Sequence, residues 1–347
     1  MEYVHPKDNF YLLGHEKAEN RFLDAFKKGS LHHAWLISGP MGIGKATFAY
    51  KVARFLLDAD ETKLDTYQSL NVSPQSLTSI QISNGSHPNF KLIERDFIDD
   101  DKKKIIKAIK DGEPLGDDDL ETLKKSTVIK VDEVREINSF LSKKALDGSW
   151  RVVLIDCVDD LNTASANAIL KILEEPPAKS ILLLVCHNPN KLLPTIRSRC
   201  AQLVLEPLSE ENVATLLRRY IPDLSEKEVK NLAKISQGSI AKAMNYALNN
   251  GLKIYEDLQA VLCAGSSFDL TKALSVASNA AADENVWQLT IELLLKFVFD
   301  LVKSAEKDEL FSSFYHEIIK INNDVLSLNM DKKQAMINIL HILTKAM

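Results

Sequence analysis

Cysteine is scarce in this chain and never paired. Its four cysteines, Cys157, Cys186, Cys200 and Cys263, are scattered through 347 residues. No two stand in a Cys-x-x-Cys spacing, so neither a zinc module nor a redox motif is supported. Three of them fall in or beside runs that read as buried strands, as reduced and packed thiols do. Long apolar runs are missing too. No segment approaches the roughly 18 uninterrupted apolar residues of a membrane span, and Met1 to Phe10 has no signal-peptide core. A cytoplasmic protein without a membrane partner is expected. Nor is there an excess of positive charge: the formal net charge of -5 argues against a protein that grips nucleic acid over its whole surface, while leaving room for local basic patches. What is present, 45% hydrophobic and 26% charged residues, is an ordinary globular composition, long enough for two or three domains.

The stretch from Val152 to Cys200 organises the rest. Val152-Val153-Leu154-Ile155, closed by Asp156, is too short and too β-branched for a helix and reads as a buried strand. Asn162-Thr163-Ala164 then opens a helix carrying Ala166, Ile169, Leu170 and Leu173 on one face, and Glu174-Glu175-Pro176-Pro177 stops it. Ile181 to Val185 is a second buried strand, Thr195 to Cys200 a polar segment with two arginines, and Leu203-Val204-Leu205 a third apolar run. Such a succession predicts a parallel sheet, in which ligands sit at strand ends.

Upstream, Gly14-His15-Glu16 starts a helix with Ala18, Phe22, Leu23 and Phe26 on one face and Gly29 at its end. His32 and His33 precede the strand Trp35-Leu36-Ile37; neighbours in an extended chain point to opposite sides, which disfavours a shared metal. Gly39-Pro40-Met41-Gly42-Ile43-Gly44-Lys45-Ala46-Thr47 follows that strand and precedes a helix with Phe48, Val52, Ala53, Leu56 and Leu57 along one side. This is the GxxxxGK phosphate-loop pattern in its confirming context. Its glycines let backbone N–H groups converge on phosphate oxygens, while the helix N-terminus and Lys45 supply positive charge.

Two positions depart from a working NTPase. The residue after the lysine normally holds magnesium through a hydroxyl, and here it is Ala46. Thr47 is one residue late and rotated about 100° on the helix, a poor substitute. Asp156 could hold the metal, but Cys157 follows it where a glutamate would orient the attacking water. Cys157 reads as a small buried filler.

Residues 58 to 150 interrupt this core. Ile80-Gln81-Ile82 suggests a short strand, His87-Pro88-Asn89 leads into a core strand at Phe90 to Ile93, and about residues 94–125 form a charged insertion, partly helical or mobile. Val128 to Asp132 resumes the core, and Val134, Ile137, Phe140, Leu141 and Leu146 suggest a helix before Trp150.

Ser165-Ala166-Asn167-Ala168-Ile169-Leu170-Lys171-Ile172-Leu173-Glu174-Glu175-Pro176-Pro177, with Thr195-Ile196-Arg197-Ser198-Arg199-Cys200, strongly resembles bacterial clamp-loader subunits of the AAA+ class. Gly14-His15 and Leu31 to Pro40 look like the same family, and His87-Pro88-Asn89 resembles the His-Pro-Asp of the delta-prime subunits of DNA polymerase III. The resemblance covers about residues 10–57, 85–93 and 128–245. It implies an α/β AAA+ phosphate-loop domain with a parallel sheet over 1–207, a small helical lid over 208–250 and an all-α C-terminal collar over 251–347. It also implies a hetero-pentamer of clamp-loader subunits within the polymerase holoenzyme, which opens a sliding clamp and places it on primed DNA.

In that family the hydrolysing subunits carry a lid arginine in a Gly-Ser-Leu-Arg segment. This chain has Gly238-Ser239-Ile240-Ala241. Ala46, Cys157 and Ala241 are thus altered while Arg199 is kept, and Cys186 and His187 stand where a sensor Thr or Asn often ends the second strand. A finger arginine serves the neighbour's nucleotide rather than its own. The implied chain does not hydrolyse ATP and offers Arg199 in trans, with Arg197 a supporting or exposed charge. Its own pocket, Gly39, Gly42, Gly44, Lys45, Thr47 and Asp156, is a vestigial one that binds ATP or ADP with magnesium weakly at most. The four-cysteine zinc module often seen in delta-prime subunits has no counterpart in residues 58–86, so zinc is not predicted. The alternatives are an active ATPase of the same fold and a phosphate-loop small-molecule kinase, in which the Leu-Glu-Glu-Pro-Pro and Ser-Arg-Cys segments would have no place.

C-terminal to this, Ser209 is the expected N-cap of a helix with acids in its first turn. Asn249-Asn250-Gly251 is a breaker, and Trp287, Ile291, Leu294, Leu295 and Val298 share one helical face.

Overall fold

A computed structural model describes residues 4–110, 123–142, 148–263, 269–304 and 308–346. The chain divides into two compact units, Met1–Leu208 and Ser209–Met347.

Five strands form the sheet of the first unit: β1 (Ala34–Ser38), β2 (Phe90–Glu94), β3 (Arg151–Asp156), β4 (Ser180–Cys186) and β5 (Ala201–Val204). They lie in the order β2-β3-β4-β1-β5 and every pair is parallel. Parallel strands are covered on both faces, which is why they read as unbroken apolar runs rather than as an alternation. Trp35, Ile37, Val152, Leu154, Ile181, Leu183 and Val185 face one layer, with the helices Glu16–Lys27 and Lys45–Asp58. Leu36, Val153, Ile155, Leu182 and Leu184 face the other, with the helices Val131–Ser142 and Thr163–Glu174. This is the α/β AAA+ architecture that the resemblance implies.

The helix starts follow their caps. Asn162 accepts a hydrogen bond from Ser165 N, Ser209 from Asn212 N, and Ser225 closes a full capping box with Glu228. The second unit is helical throughout its described residues, from Glu210–Tyr220 to Lys332–Ala346. Within it Trp287, Ile291, Leu294 and Val298 are buried as their spacing predicts, and Trp287 Nε1 donates to Asn322 Oδ1 at 2.7 Å. At Asn249-Asn250-Gly251 one helix ends and the next begins, with Asn250 in the left-handed region at φ 54°. Among the described residues no helix is long and apolar enough to cross a membrane.

Two local expectations are corrected, at Ile80 to Ile82 and at His32 and His33. Ile80-Gln81-Ile82 is helical, within Leu77–Ser83, because the Ser76 side chain caps Ser79 N; Ile82 is buried and Ile80 faces outward. Val128 to Asp132 resumes the core, with Ile129 fully buried. Ile129 makes a single bridge to Leu161, and a helix starts at Val131. His32 and His33 do not diverge but stack, with centroids 4.3 Å apart, since both precede the first residue of β1 and extended alternation does not yet apply. His33 Nε2 lies 3.0 Å from Leu173 O and His32 Nδ1 2.9 Å from Ala34 O, so both rings are engaged by backbone. Of the charged insertion, Asp99–Lys110 is helical; Asp117 to Asp119, like Leu146, lies outside the described residues.

Candidate functional site

The phosphate-loop residues connect β1 to the helix Lys45–Asp58. Gly39, Gly42 and Gly44 all have positive φ, at 152°, 77° and 101°, and Gly44 is the left-handed residue from which the helix springs. A side chain at Gly39 would place its Cβ 2.3 Å from Leu205 O. Lys45 is buried and its Nζ donates to Gly39 O at 2.7 Å and to Pro40 O at 2.5 Å. Burial pushes its pKa down to about 8, against the pull of Cys157, Asp159, Asp156 and Cys186.

The segment before the loop braces it. His15 is buried and its Nε2 lies 2.7 Å from Ile43 O, so that nitrogen must donate. Burial, only partly offset by this hydrogen bond, holds the imidazole below its ordinary pKa. A folded value below the unfolded one means that the unfolded chain takes up the proton more readily, so stability falls as pH drops through about 6.5, the unfolded value. His5, His33 and His187 are depressed for the same first reason. Asp156, raised to about 6, works the other way in this window, but it is set against four histidines, so the melting temperature is expected to fall between pH 7.5 and 5.5. His15→Gln, which keeps a donor but cannot titrate, should flatten that slope without abolishing it; calorimetry at the two pH values checks this.

On the metal side the fit is poor. Ala46 has no hydroxyl. Thr47 lines a cavity of about 20 Å³ with Asn9, Phe10, Leu12, Lys51 and Arg54, on the face of the helix that continues through positions 51 and 54. Asp156, at the end of β3, is pushed up to about 6 by burial and by Glu94, with Lys45 pulling the other way. Cys157 is not a passive filler. Its Sγ donates to Asp159 Oδ1 at 2.6 Å, and burial together with that carboxylate raises its pKa well above the ordinary thiol range. Asp159 also accepts from His187 N (3.0 and 3.1 Å) and Asn188 N (3.0 Å). Burial works against its charge, but the thiol and the two backbone donors hold it below the usual carboxylate range. Cys186, paired in register with Ser38, is pushed up to about 12 by burial and Asp159. Where a glutamate would stand there is thus a protonated thiol, beside an aspartate whose oxygens are committed to the amides that follow β4.

Arg199 stands elsewhere, on the turn between the short helix Pro194–Arg197 and β5. Ile196 is fully buried and Cys200 Sγ donates to Ile196 O at 3.2 Å, so the backbone is anchored on both sides of the arginine. Its side chain is 36% exposed and pairs with Glu174 at 2.9 Å. Arg197, half-buried, lends its carbonyl to Gln202 Nε2. In the second unit Ala241 is exposed in the first turn of the helix Ile240–Leu248, capped by Ser239. Among the described residues no group of three His, Cys, Asp or Glu side chains is placed to hold a metal ion.

Sequence reasoning missed Asp159, Glu174 and His15 as organisers. Their partners lie 28 residues away for Asp159–His187 and for His15–Ile43, and no local pattern marks such contacts.

The family model described as "DNA polymerase III, delta subunit" matches residues 14–209. A DNA polymerase III subunit delta' of Pseudomonas aeruginosa is 29% identical over 207 residues, 60% of this chain and 53% of that protein. A subunit gamma of Buchnera aphidicola is 26% identical over 94% of this chain and 86% of its own length. The chain thus spans about half of the first of these relatives and most of the second, and the two paralogues resemble it to a like degree. A solved structure described as a gamma subunit-related protein from Thermotoga maritima aligns over 93% of this chain and 99% of its own at 18% identity, with a TM-score of 0.44.

Proposed function

The chain belongs to the DNA polymerase III delta subunit family, and on that premise we propose that it is a delta-prime-type clamp-loader subunit, one that hydrolyses no ATP itself. In this reading it sits in a hetero-pentamer, lends Arg199 to the nucleotide of a neighbouring ATPase subunit, and so takes part in placing a sliding clamp on primed DNA.

The observation that carries the reading is the contrast between two faces of one domain. On the inward face Ala46 offers no hydroxyl and the Cys157 thiol is engaged by Asp159. On the outward face Arg199 keeps a planar cation half-exposed on a turn whose backbone is anchored. A finger needs rigid placement and access from outside, because it works by neutralising charge that develops on a phosphoryl group in another subunit. Gly42, Gly44 and Lys45 are the residues that would hold the phosphates of a weakly bound ATP or ADP, and Asp156 its magnesium. The chain's own residues then supply shape and a fixed charge rather than chemistry.

ATP turnover by the purified chain tests this. Wild type and Lys45→Ala are both expected at the no-enzyme background. Turnover in the wild type that disappears in Lys45→Ala would replace this reading by the active-ATPase one.

A further inference from the structure

We propose that Glu174 is the positioning residue of Arg199, an inference that rests on the finger reading above. Glu174 is the last residue of the helix Thr163–Glu174, where the exposed carbonyls make a carboxylate unfavourable. Something must repay that placement, and the partner the structure gives its carboxylate is Arg199 Nη2, at 2.9 Å. The other terminal nitrogen, Nη1, donates to Thr195 O at 3.1 Å. Held at both η nitrogens, the guanidinium has its plane fixed and still has N–H donors to turn to an outside acceptor.

Stability does not account for the pair. The two side chains are 36% and 50% exposed, and ion pairs so placed add little to folding. The elements it joins are already secured by other means. The helix end is tied to the entrance of β1 through His33 Nε2 and Leu173 O at 3.0 Å. The arginine turn is tied down by buried Ile196 and the Cys200 thiol. What the carboxylate adds is orientation of a long, rotamer-rich cation before its phosphate arrives, the kind of preorganisation that electrostatic stabilisation of a transition state requires. It also gives the Glu-Glu-Pro-Pro and Ser-Arg-Cys segments one physical link: the first ends a helix where its carboxylate can hold the arginine of the second.

The test is a double-mutant cycle in the reconstituted loader, with full-length chain, clamp and primed DNA. Single-turnover ATP hydrolysis is measured for wild type, Glu174→Gln, Arg199→Ala and the double variant, and each isolated chain is melted. Glu174→Gln is expected to slow hydrolysis by about tenfold, as a misaligned group does, to melt like wild type, and to add nothing once Arg199 is gone. Glu174→Asp, which keeps the charge on a shorter arm, should recover part of the rate. Hydrolysis at the wild-type rate in Glu174→Gln while Arg199→Ala is slow overturns the positioning role alone. So does a Glu174→Gln effect that persists undiminished in the Arg199→Ala background. A wild-type rate in Arg199→Ala itself overturns the finger reading beneath it.

Discussion

On the finger reading, Arg199→Ala should slow ATP hydrolysis at the neighbouring subunit's site by about 10³-fold or more, the lower end of what an arginine finger contributes. The isolated chain should meanwhile melt within a few degrees of wild type, because an exposed ion pair is worth about 1 kcal/mol at most. The two halves of this expectation come from the same geometry. Arg199 spends on its own fold a partly exposed ion pair with Glu174 and a hydrogen bond to Thr195 O, while its backbone is secured independently by Ile196 and Cys200. Removing the guanidinium therefore takes away charge without loosening its support. Arg199→Lys should recover little of the rate, since a compact ammonium lacks the planar fork, yet it keeps the charge and serves as the control for assembly. Single-turnover hydrolysis on clamp and primed DNA reads the effect, and unchanged rates in a complex that still co-elutes would rule the finger out.

How far the sequence reaches depends on the range of the contact. The sheet was legible because parallel strands buried on both faces are continuous runs of Val, Ile and Leu, as at Val152 to Ile155 and Ile181 to Val185. Helix starts were legible because capping is local: Asn162 and Ser209 act on amides three residues away. The phosphate loop was legible from its glycines, whose positive φ the structure repeats at Gly39, Gly42 and Gly44. Legibility stops where a side chain answers to a distant one. Cys157 reads as filler until Asp159 is seen accepting a hydrogen bond from its thiol while also accepting from the amides of His187 and Asn188. His32 and His33 read as diverging until the start of β1 is fixed. Ile80 to Ile82 is a miss of another kind: its cap, Ser76 on Ser79 N, is local, but three residues alternating apolar, polar, apolar fit a short strand equally well. The site is thus half visible from sequence: the missing hydroxyl and glutamate can be read, whereas the groups that occupy their space cannot.

The folded unit itself should be most sensitive at Gly39. Alanine there would bring its Cβ to 2.3 Å from Leu205 O and 2.9 Å from Ile43 Cδ1, and it would have to adopt φ 152°, a region that side chains rarely enter. The obstacle is backbone and cannot rotate away. Leu205 N is hydrogen-bonded to Ser38 O at 2.8 Å, so a retreat of Leu205 pulls at the pairing that holds the edge strand β5 to β1. Strain of this kind costs about 2–4 kcal/mol, a fall of roughly 5–15 °C in melting temperature for a unit of this size. Gly29 supplies the control. Its φ of 61° also favours glycine, but nothing lies within 4 Å of an added Cβ. Gly29→Ala should therefore cost only the conformational part, about 1 kcal/mol. If the two alanine variants melt together, the loop has moved aside and Leu205 is not the wall that fixes it; if Gly39→Ala falls well below Gly29→Ala, the phosphate loop is held against β5 by close packing that no sequence pattern records.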